Sequence, residues 1–259
     1  MVKISIVGYG GMGKMIEADA KARGIEIVSI ISPGAKEATH EEINADSLKE
    51  ADVVIDFTLP NVFMENLKKY CELKKDVVVG TTGWYDKLDQ VKEMVKSAGI
   101  RFLWGSNFSV GVHMYFKIIE AASNLVNYAE DYDVWAFELH HHNKADSPSG
   151  TAKTLSDIML KNIDRKKRVE YGMVDRRIEK DELHFASVRG GPVNFEHTIG
   201  LDSAADCITI KHAARNRSGY ASGAVLASVW LAKQEVGYYE VDDFIKGVIP
   251  LKINFEKED

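Results

Sequence analysis

Cysteine is scarce in this chain, and so are proline and long apolar runs. Its 259 residues include two cysteines and five prolines. Cys71 and Cys207 stand far apart, one in a helix-like and one in a strand-like stretch, with neither a Cys-x-x-Cys pair nor zinc-ligand spacing. That excludes a disulfide-stapled scaffold and a zinc ribbon, and implies two free thiols in a reducing compartment. No apolar run approaches the roughly 18–20 residues that a membrane-spanning helix needs. The first residues read as a short apolar strand rather than a charged start with a hydrophobic signal core, so a cytoplasmic protein is expected. Excess positive charge is also missing: 33 Lys and Arg face 39 Asp and Glu, for a net charge of -6. Nucleic acid and anionic membranes reward a concentrated basic surface, so neither is an expected partner. The basic stretch at 161–168 reads as a solvated helix end, and the only tail is the charged segment 256–259. No internal repeat is visible.

What is present is length enough for one large or two ordinary domains, with an alternating pattern in the first part. Apolar runs at 2–7, 25–31, 53–57, 77–79 and 100–103 are separated by helical periodicity at 12–22, 62–74 and 85–97. In the last of these, Leu88, Val91, Met94 and Val95 share a face. Strand–helix alternation of this kind gives parallel strands joined by right-handed crossovers, a doubly wound sheet. A helix is expected over 110–128. Period-two strands follow at 134–140, 183–188, 193–200 and 207–212, suggesting an open mixed sheet, and a small apolar helix follows at 222–233. The expected fold class is α/β: a Rossmann-like doubly wound parallel sheet with a second α+β domain containing an open mixed sheet. The boundaries are 1–109 with 219–259 for a dinucleotide-binding domain and 110–218 for a substrate-binding and oligomerisation domain. Closure between the two is expected, because the chain crosses near Asn107 and again near Gly219.

Gly8-Tyr9-Gly10-Gly11-Met12-Gly13 follows the first apolar strand and opens a helix. In that context a glycine pattern becomes a dinucleotide fingerprint: Gly8 for the tight turn, Gly10 for close approach of a pyrophosphate, Gly13 for helix packing. The alternative is a bare structural turn. The acidic residue that holds the ribose 2′-hydroxyl of NAD is expected about 20 positions past the glycines. Here the second strand ends Ile31-Ser32-Pro33-Gly34, without a carboxylate. Ser32, Lys36 and Lys14 fit a 2′-phosphate instead, which points to NADPH or to use of both NADPH and NADH. Further polar strand ends, at Asp56-Phe57-Thr58, Gly80-Thr81-Thr82-Gly83 and Gly105-Ser106-Asn107-Phe108, are placed along the cofactor cleft, with Asn107 and Thr82 the best hydrogen-bonding candidates.

The richest chemistry lies at Glu138-Leu139-His140-His141-His142-Asn143-Lys144, followed by Asp146-Ser147-Pro148-Ser149-Gly150-Thr151. Strand alternation puts Val134, Ala136, Glu138 and His140 on one face, with His142 continuing it and His141 opposite. Ser147 reads as the N-cap of the next helix and Pro148 as its first residue, so Ser149, Gly150 and Thr151 offer N–H groups to a carboxylate or phosphate. Each feature alone is more often structural. Together with Lys144 they favour an acid–base and anion-binding site. A metal site on His140 and His142, with Glu138 as the nearest third ligand, is the alternative, and no metal is expected.

These residues together resemble the 4-hydroxy-tetrahydrodipicolinate reductase (dihydrodipicolinate reductase) family of the diaminopimelate route to lysine. The likeness spans nearly the whole chain and includes Asn107-Phe108-Ser109-Val110-Gly111, Val188-Arg189-Gly190 and Glu196-His197-Thr198. The resemblance implies that His140 and Lys144 are catalytic and that His141 contacts the substrate. It also implies that Ser149, Gly150 and Thr151 hold a substrate carboxylate. Gly8, Tyr9, Gly10, Gly11, Met12, Gly13, Ser32, Gly80, Thr81, Thr82, Gly105, Ser106, Asn107 and Phe108 then fall where the family binds NADH or NADPH. A cyclic imine dicarboxylate is the implied substrate and a homotetramer the implied assembly. The chain departs from the pattern in a glycine loop one residue shorter than in many members, in Ser32 at the acidic position, and in Ser147 before Pro148. The first two bear on cofactor preference. In the implied reaction a hydride reaches an unsaturated carbon, and a cationic His140 or Lys144 handles the resulting charge. His140 is the preferred donor because a free histidine titrates near pH 6.5. Other two-domain NAD(P) oxidoreductases and a non-catalytic NAD(P)H sensor are the rival readings. A semialdehyde dehydrogenase needs a catalytic thiolate, and neither cysteine sits in a nucleophile setting. An inositol oxidoreductase does not need an anion site beside paired histidines.

Overall fold

In the computed structural model, which describes residues 2–250, the apolar runs of the first hundred residues become parallel strands because both of their faces are covered. β1 (Lys3–Val7), β2 (Glu26–Ile31), β3 (Val53–Asp56), β4 (Asp76–Val79) and β5 (Arg101–Trp104) alternate with α1 (Gly11–Ala22), α2 (Ala45–Leu48), α3 (Pro60–Glu72) and α4 (Leu88–Ala98). The chain continues through α5 (Val110–Val126), β6 (Asp133–His140), α6 (Gly150–Asn162), β7 (Arg168–Glu170), β8 (Glu182–Arg189), β9 (Phe195–Asp202) and β10 (Cys207–Ala214). It ends with α7 (Ser218–Leu231), β11 (Gly237–Glu240) and α8 (Val241–Val248). Two compact units result, residues 2–110 with 217–250 and residues 111–216. The charged segment 256–259 lies outside the described residues. Among the described residues no helix is long and apolar enough to cross a membrane.

The first unit carries a six-stranded sheet in the order β11-β5-β4-β3-β1-β2, parallel throughout. Strand alternation sorts its side chains into two cores. Ile4, Ile6, Val53, Ile55, Val78 and Leu103 pack with Ile16 of α1, Ala224 and Leu231 of α7 and Phe244 of α8. Val7, Val54, Val77, Val79 and Phe102 pack with Phe63 and Leu67 of α3 and Val91 and Val95 of α4. Burial of each such side chain contributes about 1.5–3 kcal/mol. Ordering a residue costs about 1–2 kcal/mol of backbone entropy, so a four-residue strand such as β3 is stable only inside the sheet. The order reverses between β1 and β3, which makes the carboxyl ends of these two strands the switch point where open parallel sheets bind ligands.

The second unit carries a five-stranded mixed sheet, β10-β9-β6-β8-β7. β6 pairs antiparallel with β9 and parallel with β8. Val134, Ala136, Leu183, Phe185, Ile199 and Leu201 face α5 and α6, meeting Tyr115, Ile119, Leu155 and Met159. β6 alternates as its sequence demands, with Val134, Ala136, Glu138 and His140 buried.

Three local expectations are corrected. The strand ends at His140, so His142 does not continue its face; it lies in a turn where its N–H and ring Nδ1 both meet the Gly191 carbonyl, at 3.2 and 2.9 Å. α6 begins at Gly150 with Ser149 as N-cap, its Oγ accepting the Ala152 N–H at 3.1 Å. Ser147-Pro148 is a cis peptide outside the helix. The edge strand β11, which completes the parallel sheet beside β5, has no counterpart in the sequence reading: Gly237-Tyr-Tyr-Glu is too short to show a period.

Candidate active site

The glycine loop leaves β1 at the switch point. Gly8 has φ +89°, a conformation that side chains resist, and a Cβ on it would stand 2.5 Å from the Phe57 carbonyl oxygen after β3. A Cβ on Gly13 would meet the Gly8 carbonyl oxygen at 2.3 Å, so α1 can pack this close only without one. Gly10 and Gly11 differ in that nothing lies within 4 Å of where a Cβ would stand. Gly10 is the N-cap and provides no side-chain acceptor, so the first-turn N–H groups of α1 face an open cradle. That arrangement fits a pyrophosphate.

The remaining residues expected at the cofactor are not all alike. Met12, Thr81 and Phe108 turn inward. Met12 packs against the core. Thr81 Oγ1 is bonded to the buried Asp56 carboxylate at 3.1 Å and to the Thr58 N–H at 2.9 Å. Phe108 is buried 6.2 Å from the Phe57 ring. Thr82 and Ser106 are exposed, and the Asn107 side chain accepts the Ser109 N–H at 2.8 Å. Tyr9 donates to Glu17, which, with burial, pushes its phenol up to about 12 and keeps it neutral. Ser32 is tied back by its N–H to the His40 carbonyl. Glu37, in the loop after β2, places its Oε1 3.1 Å from Lys14 Nζ on α1, and Lys14 also sits 5.5 Å above the Tyr9 ring. A cation and a carboxylate are therefore paired beside the glycine loop.

In the second unit, pairing across three strands assembles a buried polar cluster. Register places Glu138 opposite Ser187 on β8 and His197 on β9, and His140 beside Arg189 and Phe195. Glu138 is fully buried, and its Oε1 accepts from the Ser149 N–H at 3.0 Å, Ser187 Oγ at 2.8 Å and Arg189 Nη2 at 2.8 Å. Its Oε2 lies 3.5 Å from His140 Nδ1 and 3.3 Å from His197 Nε2. Arg189 also donates to the Asp146 carbonyl at 2.7 Å, and Lys144 Nζ pairs with Asp146 Oδ1 at 2.7 Å. The carboxylate thus links the end of β6, the loop carrying Lys144 and the start of α6. His141 is half-buried, whereas Gly150 is exposed with nothing within 4 Å of a Cβ position. The α6 N-terminus is accordingly open.

Glu138, weighed from sequence only as a third metal ligand, and Arg189 and His197, named only within family-like segments, are the site residues to which sequence reasoning gave no acid–base role. The signal was present in the alternation of Glu138 with His140, but the register that brings β8 and β9 alongside is not written in any one segment. Glu138, His140 and His197 place ligand atoms within 4.8 Å of one another, a donor set with metal-site chemistry, different from the His140–His142 pair considered above. The Arg189 guanidinium already neutralises this carboxylate, which disfavours a second cation there.

Burial alone would raise the Glu138 carboxyl, but the adjacent His197 ring and the hydrogen bonds from Ser149, Arg189 and Ser187 outweigh it and hold it well below the usual carboxylate range. Burial pushes His140 down to about 4 against the partial opposition of Glu138, with His197, Arg189 and Lys144 adding to the fall. Burial thus works against the cationic His140 that the resemblance implies, and favours the neutral imidazole. Between pH 6.5 and about 4 the unfolded chain binds a proton here that the native chain does not, so native stability falls as pH falls through that window. Glu138 adds a further loss below its ordinary value of 4.5. Denaturation midpoints across these pH values should fall less steeply for His140→Gln than for the wild type; parallel curves would contradict a neutral buried His140.

Fold and loop define the class: an α/β protein with a Rossmann-like sheet of the nucleotide-binding kind and an added mixed-sheet unit. Family models described as "Dihydrodipicolinate reductase, N-terminus" and "Dihydrodipicolinate reductase, C-terminus" match residues 2–108 and 111–245. The chain belongs to the dihydrodipicolinate reductase family. A 4-hydroxy-tetrahydrodipicolinate reductase from Staphylococcus haemolyticus is 34% identical, covering 93% of this chain and 100% of its own. One from Christiangramia forsetii is 34% identical, covering 94% of this chain and 98% of its own. Among solved structures, a dipicolinate-bound dihydrodipicolinate reductase from Paenisporosarcina sp. TG-14 shares the fold with a TM-score of 0.72 at 20% identity. That match covers 93% of this chain and 97% of the other.

Proposed function

We propose that this chain uses NADH or NADPH to reduce 4-hydroxy-tetrahydrodipicolinate to tetrahydrodipicolinate in the diaminopimelate route to lysine. The observation that carries the reading is the joining of His140, the Lys144 loop and the open α6 start through one buried carboxylate, in a chain whose two halves both match the reductase family.

The overall change replaces a ring hydroxyl by hydrogen, so one hydride and one proton enter and one water leaves. When bound, the reduced nicotinamide supplies the hydride. The open N–H groups of α1 beside Gly10 and Gly11 hold the pyrophosphate, and the unit formed by residues 2–110 and 217–250 is assigned dinucleotide binding. Residues 111–216 are assigned the substrate. Gly150 and Thr151 N–H groups, with Ser149 fixing the helix start, hold one substrate carboxylate; their dipoles are already oriented and need no rearrangement. Lys144 adds a mobile cation and His141 a side contact. His140 delivers the proton from Nε2. A dicarboxylate brought beside it favours the charged imidazolium and offsets the effect of burial.

Lys14 paired with Glu37 supports dual cofactor use, because a 2′-phosphate can take Lys14 and ribose hydroxyls can take Glu37. The test follows nicotinamide oxidation with freshly condensed pyruvate and aspartate semialdehyde, with NADH and NADPH in parallel. Consumption of both is expected, and Lys14→Ala should lower the NADPH/NADH ratio of kcat/KM about tenfold or more, as loss of one charged hydrogen bond costs about 1.5–3 kcal/mol. No consumption with either cofactor would sink the assignment.

Exposed Met114, Ile118 and Leu125 along α5, with Tyr128 just beyond its end, support self-association, and a homotetramer is proposed. Cys71 and Cys207 are free thiols, consistent with a cytoplasmic enzyme, and no nucleic acid or membrane partner is proposed.

A further inference from the structure

Two buried atoms without hydrogen-bond partners face each other in the second unit. Among the described residues, Glu138 Oε2 and His140 Nδ1 are both buried and both unbonded, 3.5 Å apart. Leaving a carboxylate oxygen and a ring nitrogen both unsatisfied costs about 1–3 kcal/mol each, and a shift of about half an ångström resolves both if the nitrogen carries the proton. The opposite tautomer would set a lone pair against a carboxylate lone pair. Glu138 cannot turn away, because Oε1 is fixed by the Ser149 N–H, Ser187 Oγ and Arg189 Nη2. His140 is equally confined, stacked 6.0 Å from the Phe195 ring and edge-on to His197 at 5.3 Å.

We infer that Glu138 is the positioning residue of His140: its Oε2 takes the Nδ1–H, fixes the ring in the tautomer with Nε2 bare, and stabilises the imidazolium when Nε2 is protonated. This deepens the proposed function and rests on His140 being its proton donor. The proton cycle closes without any other reagent. Nε2 takes a proton from water, gives it to the substrate and returns to a lone pair, while Nδ1–H stays on Glu138 throughout. Arg189 on Oε1 keeps the carboxylate ionised, and His197 Nε2, 3.3 Å from Oε2, lies equally 3.3 Å from Ser149 Oγ, which leaves Oε2 open to the Nδ1–H. The same carboxylate, by accepting the Ser149 N–H, ties the orientation of the proton donor to the start of the carboxylate-binding helix.

The test reads the tautomer directly. Imidazole nitrogen-15 shifts of the ligand-free wild type at pH 7, with the His140 signal assigned by its loss in His140→Gln, should show Nδ1 protonated and Nε2 bare. The reverse pattern overturns the inference. Glu138→Gln should lower kcat about 100-fold or more while the KM for nicotinamide cofactor is unchanged, and should release the fixed tautomer. A folded Glu138→Gln protein with wild-type kcat and wild-type tautomer overturns it as well. If that variant does not fold, the wild-type spectrum alone decides. The spectrum needs no substrate, so a chain inactive on the proposed substrate that still shows Nδ1–H refutes the proposed reaction and not the positioning of His140.

Discussion

Replacing His140 with alanine is expected to lower turnover by ~10²–10⁴, the range for removing a positioned general acid. Affinity for NADH and NADPH should stay near wild type, because the glycine loop and the α1 N-terminus belong to the other compact unit. The loss should fall on kcat and on kcat/KM for the dicarboxylate alike, the pattern of an interaction made in the transition state only. A pure rise in KM would instead make His140 a binding residue. Because His140 is buried, His140→Gln, which keeps much of the volume, is the companion variant. Native-like near-ultraviolet circular dichroism with low turnover in both would separate chemistry from folding. Unchanged turnover would remove His140 from the proton step.

The largest expected effect on stability is at Gly223, on the α7 face that meets the end of the β5 loop. A Cβ there would stand 1.7 Å from the carbonyl oxygen of Phe108 and 2.6 Å from its carbon. Both are backbone atoms, so no side chain can swing aside, and α7 or the segment around Asn107 and Phe108 must move. Alanine gains about 1 kcal/mol of helix propensity over glycine, but the clash exceeds it, and Gly223→Ala should cost about 3 kcal/mol net. The denaturation midpoint of the first unit reports this, and cofactor affinity should fall with it, since Asn107 moves too. Gly11→Ala, where nothing lies within 4 Å, is the control and should leave stability unchanged or raise it by up to about 1 kcal/mol. Equal midpoints for the two variants would show that α7 does not approach Phe108 as described.

Much of the first unit was legible because its physics is local. A strand buried on both faces must be apolar at every position, as Val53, Val54 and Ile55 are, and a turn with φ +89° calls for glycine, as Gly8 supplies. The inward face of β6 was legible for the same reason, since period two follows from the pleat alone. The start of α6 was misplaced because Ser147 and Ser149 are equivalent caps by composition. Only the path of the chain, bonding the Ser149 N–H to a carboxylate eleven residues earlier, chooses between them. Edge strand β11 was missed because four residues cannot display a period.

The sequence by itself determined the parallel sheet, the glycine turn, the family, and the placing of His140, Lys144 and the α6 N–H groups within one short stretch. Tertiary structure alone decided the state of that stretch. Glu138 and His140 lie two residues apart, yet the protonation of each depends on burial and on Arg189 and His197, with Ser187 adding at Glu138, all three side chains delivered by β8 and β9 from about fifty residues away. Register is a property of paired strands, and burial a property of the closed core. Neither exists in the chain until it folds, so the sequence can name a histidine and only the fold can push its titration down to about 4.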